Sequence, residues 1–124
     1  MQLTKFKLST ASSNQLSRIK GTGLTPNILC RVGFCLSLRT GFEPDPNRYS
    51  EDGKEFNRYT LLGEWDDLYV ALLRQWCEVN LEGEYVLEDY FRAHMNYGVK
   101  LVKNYVDAGS RRPSWSINGI LDAA

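Results

Sequence analysis

Two lysines flank a phenylalanine near the start of the chain, in a stretch that alternates for six residues: Leu3-Thr4-Lys5-Phe6-Lys7-Leu8. A period of two puts Leu3, Lys5 and Lys7 on one face of a strand and Thr4, Phe6 and Leu8 on the other. Lysines on an exposed strand face neutralise phosphate. No acid interrupts them, because residues 1–42 hold Lys5, Lys7, Arg18, Lys20, Arg31 and Arg39 and no Asp or Glu, a local charge of +6. The plain structural use of such lysines is to blunt a strand edge. The other reactive side chains are sparse. His94, the one histidine, falls on an apolar helical stripe. A hydrogen-bonded core or interface histidine is expected there, rather than a base or a ligand. Cys30, Cys35 and Cys77 contain no CxxC spacing. Five residues of helix turn about 500°, so Cys30 and Cys35 point to different sides. Neither a zinc pattern nor a disulfide framework results, and all three are expected as small buried apolar residues in a reducing compartment.

The remaining candidates reduce to local structure. Asp66/Asp67 and Glu88/Asp89 stand where helices open, and the macrodipole favours acids there. Gly21-Thr22-Gly23 precedes a helix but follows no strand, so it reads as a turn and not as a phosphate-cradling loop. No serine–histidine–aspartate arrangement has support. The expectation is a protein that is not an enzyme and that needs no metal or cofactor.

The charge is unevenly distributed. The formal net charge of the 124 residues is zero. Residues 43–92 hold 13 acids against Arg48, Lys54, Arg58, Arg74 and Arg92, a net of −8, and residues 93–124 return +2. Two surfaces with different partners are therefore expected: a basic one for phosphate, and an acidic one for a basic protein surface such as another copy of the chain. With 43% hydrophobic and 24% charged residues the chain has the composition of one globular domain. No apolar run reaches the roughly 18–20 residues that span a bilayer, and the N-terminus has no apolar signal-peptide region. A cytoplasmic location is expected.

These residues need elements to hold them. The Leu3–Leu8 strand has no strong partner strand nearby, so pairing with the same strand of another subunit is expected. Ser9 or Thr10 caps a short helix carrying Leu16 and Ile19, which Gly21 and Gly23 end. Thr25-Pro26 starts a second helix, about Pro26 to Leu38, that is apolar nearly all round and so is expected in an oligomer core. Gly41 to Gly53 is a loop, and residues 56–63 read as irregular or partly extended. The stripe Trp65, Leu68, Tyr69, Leu72, Leu73, Trp76 predicts a helix from about Glu64 to Val79. A longer helix follows from about Leu87 to Asp107. The fold expected is mainly α: a short strand and two helices in ribbon–helix–helix order, then two longer helices, oligomeric. Residues 1–108 make one domain and residues 109–124 a weakly patterned tail. In ribbon–helix–helix dimers two strands pair and offer a face to a DNA groove. Helix N-termini near Ser9 and Thr25 hold phosphate if their amides are free. Leu3 cannot read bases, so backbone contact without sequence readout is expected.

Three strings occur together: Thr22-Gly-Leu-Thr-Pro-Asn-Ile-Leu-Cys-Arg31, Glu55-Phe-Asn-Arg-Tyr-Thr-Leu-Leu-Gly-Glu64 and Asp89-Tyr-Phe-Arg-Ala-His-Met-Asn-Tyr-Gly98. In this order they resemble the bacterial DNA sulfur-modification family DndE, from the first strand to about Val106. The resemblance implies a small accessory protein of DNA phosphorothioation. Its partners would be a cysteine desulfurase, an iron–sulfur protein and an ATPase-like protein. It also implies a homo-oligomer, a tetramer, that binds nicked double-stranded DNA through basic residues. Carried onto these strings, Phe56, Tyr59, Leu61 and Leu62 are expected as packing. Arg58 and Arg92 are expected to pair with carboxylates. His94, Asn57 and Asn96 are candidates for a polar network. The DNA-facing candidates come from charge: Lys5, Lys7, Arg18, Lys20 and Arg31, with Arg39 behind them. A scaffold that holds the other modification proteins and a ribbon–helix–helix repressor are the alternatives.

Overall fold

The computed structural model describes residues 1–109. Its order is β1 (Lys5–Lys7), α1 (Thr10–Ser17), α2 (Pro26–Arg39), β2 (Glu55–Asn57), α3 (Arg58–Leu62), α4 (Asp66–Asn80) and α5 (Leu87–Gly109), with single 3-10 turns at Pro46–Arg48 and Gly63–Trp65. The expected helix starts are observed. The Ser9 hydroxyl accepts from the Ser12 amide, and the Thr25 hydroxyl accepts from Ile28 with Pro26 in the first turn. The long C-terminal helix runs through Gly109, and the rest of the expected tail lies outside the described residues.

The core forms where α2 crosses α5. The two backbones meet at Gly33 and Gly98, and a Cβ on Gly33 would lie 2.6 Å from the Gly98 carbonyl carbon. Only glycine on both helices permits that approach. Around the crossing pack Phe34, Phe91, Met95, Val99 and Val102, all essentially without solvent exposure. α5 of the same chain thus covers the face of α2 that carries Gly33 and Phe34, while Ile28 is exposed and Val32 and Leu38 are half-buried. A helix pattern reports that a face is buried, not what buries it. Several exposed apolar residues gather on and just before α4. Leu73 and Trp76 of its stripe are buried, while Trp65, Leu68, Leu72 and Val79 face outward, Val79 at 75% exposure.

β1 also finds its partner inside the chain. It pairs antiparallel with β2 in the register Lys5–Asn57, Phe6–Phe56, Lys7–Glu55. The Arg58 amide extends the ladder to the Thr4 carbonyl, and the Leu8 amide extends it to the Lys54 carbonyl. Pairing between subunits is therefore not what satisfies this edge, and the resemblance to a two-chain ribbon–helix–helix is not upheld. β2 escapes sequence reading because its pattern rests on one residue, Phe56, whose ring stacks on Phe6 at 6.3 Å. Among the described residues no helix is long and apolar enough to cross a membrane.

Candidate nucleic-acid interface

The hairpin lays its two faces as the alternation requires. Phe6 and Phe56 point into the core, where Phe6 meets Phe91 edge-on at 5.3 Å. Lys5 and Lys7 point out and are exposed. Their neighbours across the ladder are Asn57 and Glu55. Directly opposed strand residues have Cβ atoms about 5 Å apart, so Glu55 halves the charge that Lys5 and Lys7 bring to this face. The sequence could not show that acid beside Lys7. Arg18 and Lys20 are also exposed, just beyond the end of α1. The eight residues of α1 span about 12 Å, so the two basic pairs sit at opposite ends of that helix. Among the described residues, Lys5, Lys7, Arg18 and Lys20 form no ion pair.

Arg31 has a different environment. Its Nε donates to the Leu61 carbonyl and its Nη2 to the Thr60 carbonyl, 3.4 Å away. These are last-turn carbonyls of α3, which have no partner within that helix. Gly63 gives the guanidinium room, since a Cβ there would lie 2.9 Å from Nη2. Arg31 therefore ties α2 to α3. Arg39 ends α2 on the exposed surface.

At the starts of α1 and α2, protein groups take up first-turn amides. At α1 the Asp52 carboxylate accepts from the Thr10 amide at 3.0 Å and from the Ser50 hydroxyl at 2.6 Å. These bonds, the Ser50 one foremost, hold its acid below the usual aspartate range. A protein carboxylate thus sits where the sequence left room for phosphate, which corrects the expectation of free amides near Ser9. At α2, Pro26 has no amide to offer and Thr25 takes that of Ile28.

The polar residues of the family strings hold the fold, and each does so separately. Arg58 grips Asp66 with two 2.8 Å bonds and donates Nη1 to the Met1 and Leu3 carbonyls at 3.0 Å. Arg92 reaches Asp89 and Glu51. Both arginines thus pair with carboxylates as expected. Asn57 caps α3, whereas Asn96 accepts from the Ser9 amide and donates to the Arg92 carbonyl. His94 bonds through Nδ1 to Ser37 Oγ at 2.6 Å and stands edge-on to Trp76 at 4.2 Å. The three residues form no common network. Burial pushes the His94 pKa down to about 4, so the ring is neutral near pH 7. Of the expected packing residues, Phe56, Leu61 and Leu62 are buried while Tyr59 is 54% exposed. Cys30 and Cys77 are buried and Cys35 is half-buried. Desolvation pushes Cys30 up to about 12 and Cys77 up to about 11, so neither is a nucleophile near neutral pH. Among the described residues no group of His, Cys, Asp and Glu is placed to hold a metal ion.

The family profile described as DNA sulphur modification protein DndE matches residues 5–110. Two solved structures align with the chain. The crystal structure of DndE from Escherichia coli B7A, involved in DNA phosphorothioation modification, is 28% identical with a TM-score of 0.64, covering 81% of this chain and 97% of that one. A glycine-to-lysine mutant of DndE, also involved in DNA phosphorothioation, is 26% identical with a TM-score of 0.67, covering 82% and 99%. No curated protein matches. A profile spanning both strands and all five helices shows that this chain belongs to the DndE family of DNA sulphur modification proteins.

Proposed function

We propose that this chain is a non-catalytic DNA-binding subunit of a DNA phosphorothioation system. It grips the backbone of duplex DNA, nicked in preference to intact, through Lys5, Lys7, Arg18 and Lys20. One observation supports this most: in a DndE-family chain, these four cations are exposed and without an ion pair among the described residues. Duplex DNA carries one negative charge per about 1.7 Å of axis, so both ends of α1 meet phosphates at once. A nick adds a flexible backbone that conforms to such a surface at lower deformation cost. Arg31 is assigned to holding α3, and its exposed edge adds to the field. The subunit works in the cytoplasm as a homo-oligomer, a tetramer by resemblance, beside the desulfurase, iron–sulfur and ATPase-like proteins. The test is fluorescence anisotropy on matched intact and nicked duplexes over a salt series. Binding that favours the nick, with log K falling by about 0.9 per decade of salt for each phosphate neutralised, supports the proposal. Absence of binding at low salt removes it.

The outward stripe of α4 favours a second reading, an adaptor that holds the modification proteins together. Trp65, Leu68, Leu72 and Val79 form more apolar surface on one helix than scattered exposure explains. That reading requires a partner protein to stay bound in salt that releases DNA. The repressor alternative loses its shared ribbon to β2.

A further inference from the structure

A second candidate contact lies at the loop that follows α2. The loop after α2 folds over the middle of α5 and leaves an open pocket of about 350 Å3 lined by Phe42, Glu43, Asp45, Arg48, Tyr49, Tyr97 and Lys100. Phe42 is 52% exposed, and its ring lies 4.7 Å from that of Tyr97 at 32°. The two rings lie over one another as a tilted pair, with Tyr97 half-buried behind the exposed Phe42. Tyr49 backs it, half-buried, with its hydroxyl pushed above the usual range first by burial and then by Tyr97. Arg48 and Lys100 stand exposed at the rim and form no ion pair among the described residues. The Asp45 carboxylate is engaged by the Asn47 amide, and Glu43 is exposed.

We propose that this pocket takes one unpaired nucleobase, stacked on Phe42 with Tyr97 backing that ring, and with Arg48 and Lys100 on its flanking phosphates. Aromatic shelves beside cations are how proteins hold bases without reading sequence. The volume falls within the range of small-ligand sites. Glu43 can accept from an exocyclic amino group, as on adenine, cytosine or guanine, or from a ring N–H, as on guanine or thymine, so it does not select among bases. Two cations and two acids leave the pocket with no net charge, so it does not attract DNA from a distance. It receives a base that the basic surface has brought near. Asn96, which accepts from the amide of Ser9, directly precedes Tyr97, so the pocket and the start of α1 flank the same turn of α5. The inference rests on the DNA-binding proposal and adds an unpaired end as the preferred ligand.

The test uses the full chain and a nicked duplex carrying one unpaired 2-aminopurine at the nick. Stacking quenches this probe, so binding is expected to darken it. Phe42→Ala, at an exposed position, is expected to abolish the quench and weaken binding to this DNA at least about fivefold. Affinity for intact duplex and the salt slope should stay as in the wild type. Arg48→Ala with Lys100→Ala is expected to lower the slope on nicked DNA by about 0.9 for each phosphate no longer neutralised. A Phe42→Ala protein with unchanged affinity and fluorescence overturns the site while DNA binding stands. Quenching of the free 2-aminopurine nucleotide as strong as that of the nicked duplex overturns a DNA end as its source. A wild-type chain that binds no DNA overturns the DNA-binding proposal and this site with it.

Discussion

Several cations of the acidic remainder differ from those of residues 1–42 in what they touch. Beyond residue 42, Arg58 holds Asp66, Arg92 reaches Asp89 and Glu51, and Lys103 holds Asp107, whereas Arg48 and Lys100 form no ion pair among the described residues. Before it, Lys5, Lys7, Arg18 and Lys20 have no such partner among the described residues, and Arg31 turns to the carbonyls of α3. A paired charge is already satisfied and presents little field, whereas an unpaired one keeps its potential for an outside anion. Pairing thus takes Arg58, Arg92 and Lys103 out of the outward field, while Arg48 and Lys100 stay open like the N-terminal cations and Glu55 beside Lys7 moderates the hairpin at one point.

The largest effect should come from the joint between the two regions. Gly98→Val puts a side chain into the Gly33 and Phe34 backbone, which cannot retreat without separating α2 from α5. The expected loss is about 3 kcal/mol or more, read as a fall in thermal midpoint, with DNA binding lost only as folding is lost. A variant that melts like the wild type would show that the crossing tolerates separation. Next is Arg58→Ala. It strands the nearly buried Asp66 carboxylate and frees the Met1 and Leu3 carbonyls. Breaking such a pair costs about 3 kcal/mol, measured by denaturant midpoint. Any change in DNA affinity beyond what unfolding explains would mean that this paired cation also faces DNA.

Acid should weaken the same joint. His94 is neutral in the folded chain, its pKa held near 4 against about 6.5 when unfolded. The unfolded state binds the proton first, so stability falls as pH drops through 6.5 and levels off below about 4. Complete titration amounts to about 3 kcal/mol. Asp52, held below its ordinary range, loses its contribution at lower pH in the same direction. Unfolding midpoints of the wild type and His94→Gln between pH 7 and pH 5 separate the two, because aspartate hardly titrates there. The variant is expected to be flat across that window. An equally sloped variant would assign the acid limb elsewhere.

Helices α1, α2, α4 and α5 were legible from their starts and periods, whereas residues 58–62, expected as irregular, form α3. Thr25-Pro26 marks α2, and Trp76, Leu73 and Tyr69 mark the inner face of α4. The role of His94 as a bonded core residue was legible too, from its place on the stripe of α5. Four further features were not. β2 is three residues with one buried ring, too short for alternation to show. The cover over α2 depends on Gly98, sixty-five positions from Gly33, and the periodicity of one segment holds no information about such pairing. Arg31 counted as a free cation because a charge tally treats every arginine alike. Its destination was set by unsatisfied carbonyls at the end of another helix. The pocket at Phe42 was missed because its rings come from a loop and a helix face that no single motif joins.

The smallest change in stability should carry the most information about binding. Lys5→Glu with Lys7→Glu alters exposed side chains and should shift stability by no more than about 0.5 kcal/mol. The variant is expected to bind duplex DNA more weakly, with a salt slope lower by about 0.9 for each phosphate that the lysines had neutralised. Arg31→Met is the matched control from the same basic region. It removes the bonds to Leu61 and Thr60 and should cost about 1 kcal/mol of stability while leaving the salt slope nearly unchanged. If the two variants exchange behaviour, exposure and pairing do not decide which cations meet DNA. If Lys5 and Lys7 prove silent while Arg18→Glu with Lys20→Glu abolishes binding, the DNA lies at the far end of α1. Glu55 would then have been enough to take the hairpin out of the interface.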